Sequence, residues 1–193
     1  MFNNKLSGKS DDELMGLVAG GNSPALTELY NRYSGKLLKY FFRMLWKDEG
    51  KAQDFLHDLF LKIIRNPGYY SPGKNFSTWI YSVANNMCKN EYRKQAIRRT
   101  VSEVEGSAVM SITMDSSAAD GDFRELLDHA LTTLDEEDRN LYSLRYEADL
   151  PIEEISMILE CPTGTIKSRL FYLKKKLAGQ LQPDKSEKLK YGI

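Results

Sequence analysis

Apolar side chains recur every three or four positions along almost the whole chain, and this period decides the fold class. Residues 26–45 place the longest such stripe on one face of a helix: Leu26, Leu29, Tyr30, Tyr33, Leu37, Tyr40, Phe41, Met44 and Leu45. Residues 52–64 repeat the spacing. No segment of convincing length alternates between apolar and polar residues, as a half-buried strand would. The sequence therefore predicts an all-α protein whose first hundred residues form a helical bundle.

Capping residues predict where these helices begin and end. Ser10 and Glu13 have the spacing of a capping box, in which each side chain binds a free backbone N–H of the first turn. We expect Ser23 to cap a second helix, because a proline follows it where a missing N–H costs nothing. A third helix is expected to stop at the Asn-Pro-Gly run of residues 66–68, and a fourth to begin near Ser77.

The composition changes between residues 100 and 121, where acids, Ser, Ala and Gly follow one another without a helical stripe. A segment of this kind gains little by ordering and is typical of a flexible linker. The sequence thus predicts two helical domains, residues 1–99 and 122–182, followed by a tail at 183–193. Limited proteolysis is expected to cut first in the linker and to leave two folded fragments.

The second domain has the pattern of a helix-turn-helix. We expect Asp135 to cap one helix and Pro151 to open the next. The three residues 160–162 then form a turn before a basic helix that starts near Thr163. This turn lacks the glycine that is often found there, so Pro162 is expected to stop the preceding helix.

The last helix separates its residues onto two faces. At about 100° per residue, a leucine-rich stripe must face the domain core: Ile166, Leu170, Leu173, Leu177 and Leu181. The opposite side carries Gly164, Ser168, Phe171, Tyr172 and Lys175, with Thr165, Lys167 and Arg169 beside them. Donors, cations and apolar rings together suit the major groove of DNA, where thymine methyls and base edges are exposed. The alternative is a surface that packs against the first domain.

Charge is balanced overall but not locally. The chain has 27 basic and 27 acidic residues. Counted by segment, residues 51–100 hold nine basic and three acidic side chains, 101–140 hold two and eleven, and 161–183 hold five basic and no acidic ones. Two basic blocks therefore flank an acidic one, and they create local potentials that the net charge conceals. Such blocks are equally compatible with solvated helix faces and with nucleic-acid contact.

The fourth helix predicts a second polar surface. Its stripe mixes a ring, an amide and cations: Trp79, Ser82, Asn86, Lys89 and Arg93. These groups suit a nucleic-acid strand whose bases are unstacked, because every base offers a π face and a phosphate. The stripe alone equally allows a tryptophan at the edge of the core beside a solvated face.

Several classes of protein are excluded or disfavoured. The chain has only two cysteines, Cys88 and Cys161, and two histidines, His57 and His129, so neither a multi-ligand zinc site nor a disulfide framework is expected. No apolar run approaches the roughly 20 residues that span a bilayer, and the polar start does not resemble a signal peptide. We therefore expect a cytoplasmic protein without membrane insertion.

One segment nearly matches a phosphate-binding loop. Residues 68–75 read Gly, four residues, Gly-Lys, but Asn75 lacks the hydroxyl that would bind magnesium and Pro72 removes a backbone N–H. A helix, rather than a strand, is predicted before it. The sequence therefore predicts no enzyme, no metal and no cofactor.

Three ordered motifs together resemble the bacterial extracytoplasmic-function (ECF) sigma factors. These motifs are Asp54-Phe55-Leu56-His57-Asp58-Leu59-Phe60-Leu61-Lys62, Phe76-Ser77-Thr78-Trp79-Ile80-Tyr81-Ser82-Val83-Ala84-Asn85-Asn86 and Cys161-Pro162-Thr163-Gly164-Thr165-Ile166-Lys167-Ser168-Arg169-Leu170. The resemblance covers nearly the whole chain outside the linker and the tail. It implies an RNA polymerase subunit whose first domain reads and melts the −10 promoter element and whose second domain reads the −35 element.

The resemblance also implies a role for each motif. The first would bind core RNA polymerase through Asp54, His57, Asp58, Phe60 and Leu61, with His57 standing where the family usually has glutamine. The stripe of Trp79, Ser82, Asn86, Lys89 and Arg93 would contact the melted −10 element, with Asn86 holding a flipped base. Thr165, Lys167, Ser168, Arg169, Phe171, Tyr172 and Lys175 would contact the −35 element.

The partners implied are core RNA polymerase, promoter DNA and an anti-sigma factor. A different class remains open, namely a helix-turn-helix regulator that binds duplex DNA without core polymerase. Co-elution with core polymerase distinguishes the two.

Overall fold

The fold is all-helical in the part of the chain that the structure describes. This computed structural model describes residues 6–73, 75–105 and 121–181, with no side chains described at 99–105, 121, 122 and 124. Its helices are α1 (Asp11–Ala19), α2 (Ser23–Met44), α3 (Glu49–Arg65), α4 (Phe76–Glu105), α5 (Gly121–Thr132), α6 (Glu136–Tyr142), α7 (Ile152–Leu159) and α8 (Thr163–Leu181). The predicted fold class, with two helical domains, is confirmed. No helix within the described ranges is long and apolar enough to cross a membrane.

The predicted caps are confirmed at α1 and corrected at α2. Ser10 Oγ accepts from the Glu13 N–H at 3.2 Å, and the Glu13 carboxylate accepts from the Ser10 N–H at 2.8 Å. At α2, however, Asn22 is the cap rather than Ser23, because the Asn22 amide oxygen accepts from the Ala25 N–H at 2.9 Å. Ser23 is thus already the first helical residue.

Helix α2 is the central helix of the first domain and packs against α1, α3 and α4. Most of its apolar stripe is buried together with facing residues of the other three helices, among them Leu14, Leu29, Leu37, Phe41, Leu59 and Ile80. Leu26 and Tyr33 are half-buried, and Tyr30 at the edge of the stripe is exposed. Helix α3 is followed by a single turn of 3₁₀ helix at Pro67–Tyr69, so the predicted stop at residues 66–68 is confirmed. Burial of these side chains is the main source of the domain's stability.

Helix α4 is longer than the sequence predicts. It runs from Phe76 to Glu105, so residues 100–105, which were expected to belong to the linker, continue the helix. Helix propagation costs little once a helix exists, and Arg, Glu and Val can extend it without a buried stripe. Residues 106–120, the rest of the predicted linker up to α5, lie outside the described residues, as do residues 182–193 of the predicted tail.

The second domain contains α5–α8. Asp135 caps α6 as predicted, since its carboxylate accepts from the Asp138 N–H at 2.8 Å. A wide turn follows α6, in which the Ala148 N–H donates five residues back, to the Ser143 carbonyl, at 2.8 Å. Helix α7 ends because Glu160 adopts a left-handed conformation (φ 53°), and Pro162 is therefore not what stops it. Pro162 instead precedes α8, where its carbonyl accepts from the Ile166 N–H at 3.1 Å.

The two domains pack against each other. Helix α4 of the first domain contacts α7 of the second, and α2 contacts both α6 and the wide turn that follows it. The buried residues of both domains belong to one continuous cluster. The helix-turn-helix therefore lies with its first helix, α7, against the first domain and with α8 farther out.

Candidate nucleic-acid and polymerase interfaces

The outer face of α8 is open to solvent. Phe171 and Tyr172 are 65% and 66% exposed, and their rings meet edge to face at 5.5 Å. Thr165, Lys167, Ser168 and Lys175 are exposed around them, whereas Ile166, Leu170, Leu173 and Leu177 are buried. The separation of faces predicted from helical spacing is confirmed. The alternative, in which this aromatic face packs against the first domain, is wrong because both rings are exposed.

Arg169 lies at the edge of this face and is paired within its own domain. Its guanidinium binds the Glu137 carboxylate at 2.7 Å. Lys176, which the sequence analysis did not single out, similarly binds Asp138 at 2.9 Å, and this hydrogen bond raises the pKa of Lys176. Two cations of α8 thus neutralise the acidic first turn of α6. The exposed lysines Lys167, Lys174 and Lys175 supply the remaining positive charge of the helix.

The polar stripe on α4 is only partly exposed. Asn86 and Arg93 are exposed, while Ser82 and Lys89 are half-buried. The Ser82 hydroxyl donates to the Thr78 carbonyl at 2.8 Å. Lys89 lies near Glu136 of the second domain, a carboxyl whose pKa is raised by burial. Asn86 is therefore the group of the stripe that most directly offers both a donor and an acceptor to a base edge.

Trp79 is half-buried in an aromatic cluster. Its ring lies 5.3 Å from that of Tyr70 and 5.6 Å from that of Phe76. Both interpretations of the sequence therefore apply to this residue, which belongs to the edge of the core and also borders the exposed stripe. Beside it lies a small apolar cavity of about 60 Å³ that also touches Tyr69. Sequence analysis missed Tyr69. Its position directly after the Asn-Pro-Gly turn could have indicated it, because such a turn places the next side chain at an exposed corner.

The exposed face of α3 carries four of the five residues predicted to bind core polymerase. Asp54, His57, Asp58 and Leu61 are exposed and lie along one side of the helix. Phe60 does not share this face: it is 5% exposed, and its ring packs at 4.9 Å on that of Tyr30. Phe60 is a core residue, because the buried stripe of Leu56, Leu59 and Ile63 includes its position.

Ile64 extends the α3 face, although the helical spacing of residues 52–64 predicts it on the apolar stripe of this helix. Its side chain is half exposed, one turn beyond Leu61. The i, i+3 spacing of two exposed aliphatic residues is the signal that could have found it. The resulting surface is acidic at Asp54 and Asp58 and carries the apolar side chains of Leu61 and Ile64 farther along. The exposed cations Lys62 and Arg65 lie beside these, and such a mixed face suits docking of another helix. Across the described ranges, no group of three or more His, Cys, Asp or Glu side chains could hold a metal ion.

Comparison with known proteins identifies the family. Residues 29–98 match the family description "Sigma-70 region 2", and residues 124–177 match "Sigma-70, region 4". The RNA polymerase sigma-H factor of Pseudomonas aeruginosa is 30% identical over 188 residues, which are 92% of this chain and 97% of that protein. The ECF RNA polymerase sigma-E factor of Escherichia coli K12 is 27% identical over 184 residues, 90% of this chain and 95% of that protein.

Two solved structures share the fold. CnrH, in complex with the cytosolic domain of CnrY, superposes with a TM-score of 0.65 at 20% identity, over 90% of this chain and 97% of that one. The sigma factor RpoE of Bartonella quintana, in complex with the anti-sigma factor NepR, superposes with a TM-score of 0.64 at 21% identity, over 82% of this chain and 98% of that one. The chain belongs to the ECF sigma factors of bacterial RNA polymerase.

Proposed function

We propose that this sigma factor uses three separate surfaces to start transcription. The exposed side of α3 binds core RNA polymerase, the outer face of α8 reads the −35 element as duplex, and the stripe around Asn86 on α4 holds the melted −10 element. The exposed pair Phe171 and Tyr172 on α8 carries the proposal. Two adjacent aromatic residues, each about two-thirds exposed (65% and 66%), stabilise nothing in the fold and are useful only against a partner.

The polymerase surface combines charge with an apolar end. Asp54 and Asp58 provide negative charge, and Leu61 provides apolar area one turn further on. Acidic residues accelerate docking on a basic partner, and the apolar end supplies the area that keeps the complex together. Phe60 supports this surface from below through its contact with Tyr30 and does not itself belong to it.

The two DNA surfaces differ in the form of DNA that they suit. The α8 face projects two rings beside Lys167 and Ser168, which is the arrangement that reads base edges and thymine methyls in a major groove. The α4 stripe is narrower and offers the Asn86 amide beside the Arg93 cation. An amide can pair with the edge of an unstacked base, and a cation holds the adjacent phosphate.

Other aspects of the proposal follow from the partner. The chain acts in the cytoplasm, where core polymerase is found, and performs no catalytic reaction of its own. An anti-sigma factor holds the protein when it is inactive, consistent with the apolar side chains of Leu61, Ile64 and Tyr69 that remain exposed. A regulator that binds duplex DNA without polymerase would require neither the α3 surface nor the amide on α4.

The sharpest test is DNA opening by Asn86→Ala. The variant is expected to bind core polymerase and duplex promoter like the parent, because Asn86 is exposed and its loss leaves the core intact. Open complexes are measured as the permanganate reactivity of unpaired thymines. The free energy of open-complex formation should become less favourable by roughly 1 to 3 kcal/mol if one good base contact is lost. A promoter that is melted in advance should recover only part of this loss, since the captured base still lacks its partner.

Asn90→Ala provides the matched control. Asn90 is also exposed on α4, one turn beyond Asn86. Its replacement removes the same amide from the same helix together with one long, exposed hydrogen bond from Arg93 (3.4 Å), so open complexes should form at nearly the parental level. Equal permanganate reactivity for the parent and Asn86→Ala would remove the melting role from this residue. Replacing Leu61 with Asp tests the α3 surface separately. This variant should no longer co-elute with core polymerase.

A further inference from the structure

A carboxylate of α1 holds the loop that follows α3. The Tyr70 hydroxyl donates to one Asp12 side-chain oxygen, and the Gly73 N–H donates to the other at 3.3 Å. Gly73 has a left-handed backbone (φ 84°), which glycine adopts without steric cost. Both donors belong to residues 66–73, which we call the corner loop. Asp12 therefore fixes two points of the corner loop from the side of α1.

The adjacent carboxylate of Asp11 anchors α1 itself. One Asp11 oxygen binds the Arg32 guanidinium of α2 at 2.7 Å, and the other accepts from the Tyr33 hydroxyl. The two neighbouring acids thus have different tasks: Asp11 attaches α1 to α2, and Asp12 attaches the corner loop to α1. This gives the loop a fixed support, because a side chain positions another group only if it is itself held in place.

The ring of Tyr70 connects this support to α4. Tyr70 is only 4% exposed, and its ring meets those of Phe76 and Trp79 edge to face at 5.4 and 5.3 Å. Trp79 is the first residue of the polar stripe proposed to contact the melted −10 element. Because packed rings leave few voids, displacement of the Tyr70 ring changes the position of Trp79. The contact with Asp12 thus acts on Trp79 through Tyr70.

Tyr69, next to Tyr70 in the chain, lies on the outer side of the corner loop. It is 72% exposed, whereas Tyr70 is buried. Together with Trp79 and Lys62 it lines the small apolar cavity beside the stripe. A phenol ring, an indole and a cation at one place suit an unstacked base and its phosphate. The Asp12 carboxylate binds the buried side of the loop and therefore acts on this surface indirectly.

We propose that Asp12 is a positioning residue for recognition of the melted −10 element. It fixes the corner loop, and the loop holds Tyr69 and Trp79 as one aromatic wall at the start of the α4 stripe. The role at the promoter rests on the proposed function, because the wall needs an unpaired strand to bind. The action of Asp12 on Trp79 does not, since it is measurable in the free protein.

The fluorescence of Trp79 tests the action on the loop. The chain has two tryptophans, so a Trp46→Phe background leaves Trp79 as the only one. In that background, Asp12→Ala and Tyr70→Phe should each raise acrylamide quenching of Trp79 at least about twofold, because local opening of the loop exposes the indole. The double variant should resemble Asp12→Ala alone, since both changes remove the same hydrogen bond. Circular dichroism checks that every variant keeps its helices.

Permanganate reactivity of unpaired thymines tests the role at the promoter. Holoenzyme with Asp12→Ala should form about three- to tenfold fewer open complexes, which is the scale of one intramolecular hydrogen bond. Its affinity for core polymerase should equal the parental one, because the α3 surface is unchanged. Asp12→Asn should recover most of the open complexes, since the amide oxygen still accepts from the Tyr70 hydroxyl.

Glu13→Ala is the matched control. It removes one acid from the same turn of α1, and the polar contacts of Glu13 are with Ser10 and Lys9 rather than with the corner loop. Both its Trp79 quenching and its open complexes should stay at the parental level.

Three results would refute the positioning role. Asp12→Ala changes neither quantity, Glu13→Ala changes both as much as Asp12→Ala does, or quenching rises in Asp12→Ala while open complexes do not fall. If the parental holoenzyme opens no promoter, the proposed function and the promoter role fail together, while quenching still shows whether Asp12 holds the loop.

Discussion

The two candidate DNA surfaces are built in opposite ways. On α8 the aromatic residues Phe171 and Tyr172 project into solvent, on the side opposite the leucine stripe. On α4 the aromatic residue Trp79 packs against Tyr70 and Phe76, and only the amide and the cation farther along are exposed. The residues proposed to bind DNA are thus separate from the residues that stabilise the fold on α8, whereas on α4 Trp79 belongs to both groups.

The difference follows from the number of neighbours of each helix. Among the described residues, helix α8 packs mainly within its own domain, against α5, α6 and α7, and keeps its outer side exposed. Helix α4 packs against α2 and α3 of its own domain and against α7 of the other. Between Phe76 and Lys89, Asn86 is the only exposed residue, whereas most residues from Asn90 to Arg98 are open to solvent. A surface of this kind can evolve new specificity less freely, because each change at Trp79 also changes the fold.

The largest expected effect contrasts Trp79 with Phe171. Trp79→Ala should lower the free energy of unfolding of the first domain by about 2 to 4 kcal/mol, because a large packed ring is lost. Phe171→Ala should change the stability of the second domain by less than about 0.5 kcal/mol, because the ring has few neighbours to lose. Urea titration followed by circular dichroism measures both. Similar losses at the two sites would erase the contrast between the helices.

The next effect sharpens the description of α8. Replacing Lys167 or Ser168 with Ala should cost about 1 to 3 kcal/mol on the preferred −35 sequence and change which sequences are preferred. Lys175→Ala should weaken binding to all sequences alike and reduce the salt slope by about one, as a phosphate contact does. Holoenzyme binding to a randomised −35 library distinguishes these outcomes. Uniform losses at all three positions would reduce α8 to a non-specific basic face.

A smaller effect depends on pH and concerns the ion pairs of Asp128 in α5 with Arg43 and Lys47 of the first domain. Burial alone would raise the pKa of Asp128, but hydrogen bonds from Lys47 and Arg43 outweigh it and lower the pKa. This carboxylate therefore stabilises the contact fully when the pH is above the ordinary aspartate pKa of about 3.9. The stabilisation is lost as the pH falls through the lowered pKa of Asp128.

We accordingly expect the radius of gyration of the free protein to rise as the pH is lowered below about 4. The α8 face carries no carboxylate of its own and should keep its exposure throughout. Asp54→Asn, at an exposed carboxyl of α3, serves as the control and should follow the parental curve. A compact protein at pH 3 would show that Asp128 is not a controlling group.

The smallest effect involves the two thiols. Cys88 is buried on α4, and burial raises its pKa well above the usual value for a thiol. Cys161 precedes α8 and is half-buried. A thiol-specific reagent at neutral pH should therefore label Cys161 and leave Cys88 unmodified until the protein unfolds. Mass spectrometry follows the labelling of each thiol. Equal labelling rates would show that α4 is more accessible than its packing indicates.

Local features of this molecule could be predicted from the sequence. The capping box at Ser10 and the two faces of α8 depend on residues within one or two turns, so spacing is enough to find them. The predicted N-cap of α2 is wrong by one residue, because the adjacent residues Asn22 and Ser23 can both cap a helix. Phe60 was assigned to the polymerase surface because the family motif gives an order of residues without saying which of them are buried. The helical spacing of residues 52–64 already included Phe60 in the apolar stripe.

The contacts between the domains could not be predicted in this way. Arg43 and Asp128 are 85 positions apart, and Tyr40 and Asn140 are 100 apart. Asn85 and Asn86 are adjacent identical residues, yet one is buried between the domains and the other is exposed. Helical spacing places Asn86 and not Asn85 on the polar stripe, but it does not predict the burial of Asn85, which depends on where α7 packs. The charge blocks predict local potentials but not which residues pair.

The length of α4 also determines how the second domain finds its site. Because the helix continues to Glu105, only residues 106–120 connect it to α5, and fifteen residues span at most about 50 Å. A domain confined to that radius has an effective concentration on the order of millimolar near its site once the first domain is bound. We therefore expect weak −35 sequences to be tolerated, and lengthening the connection should make the protein more demanding in its choice of promoter.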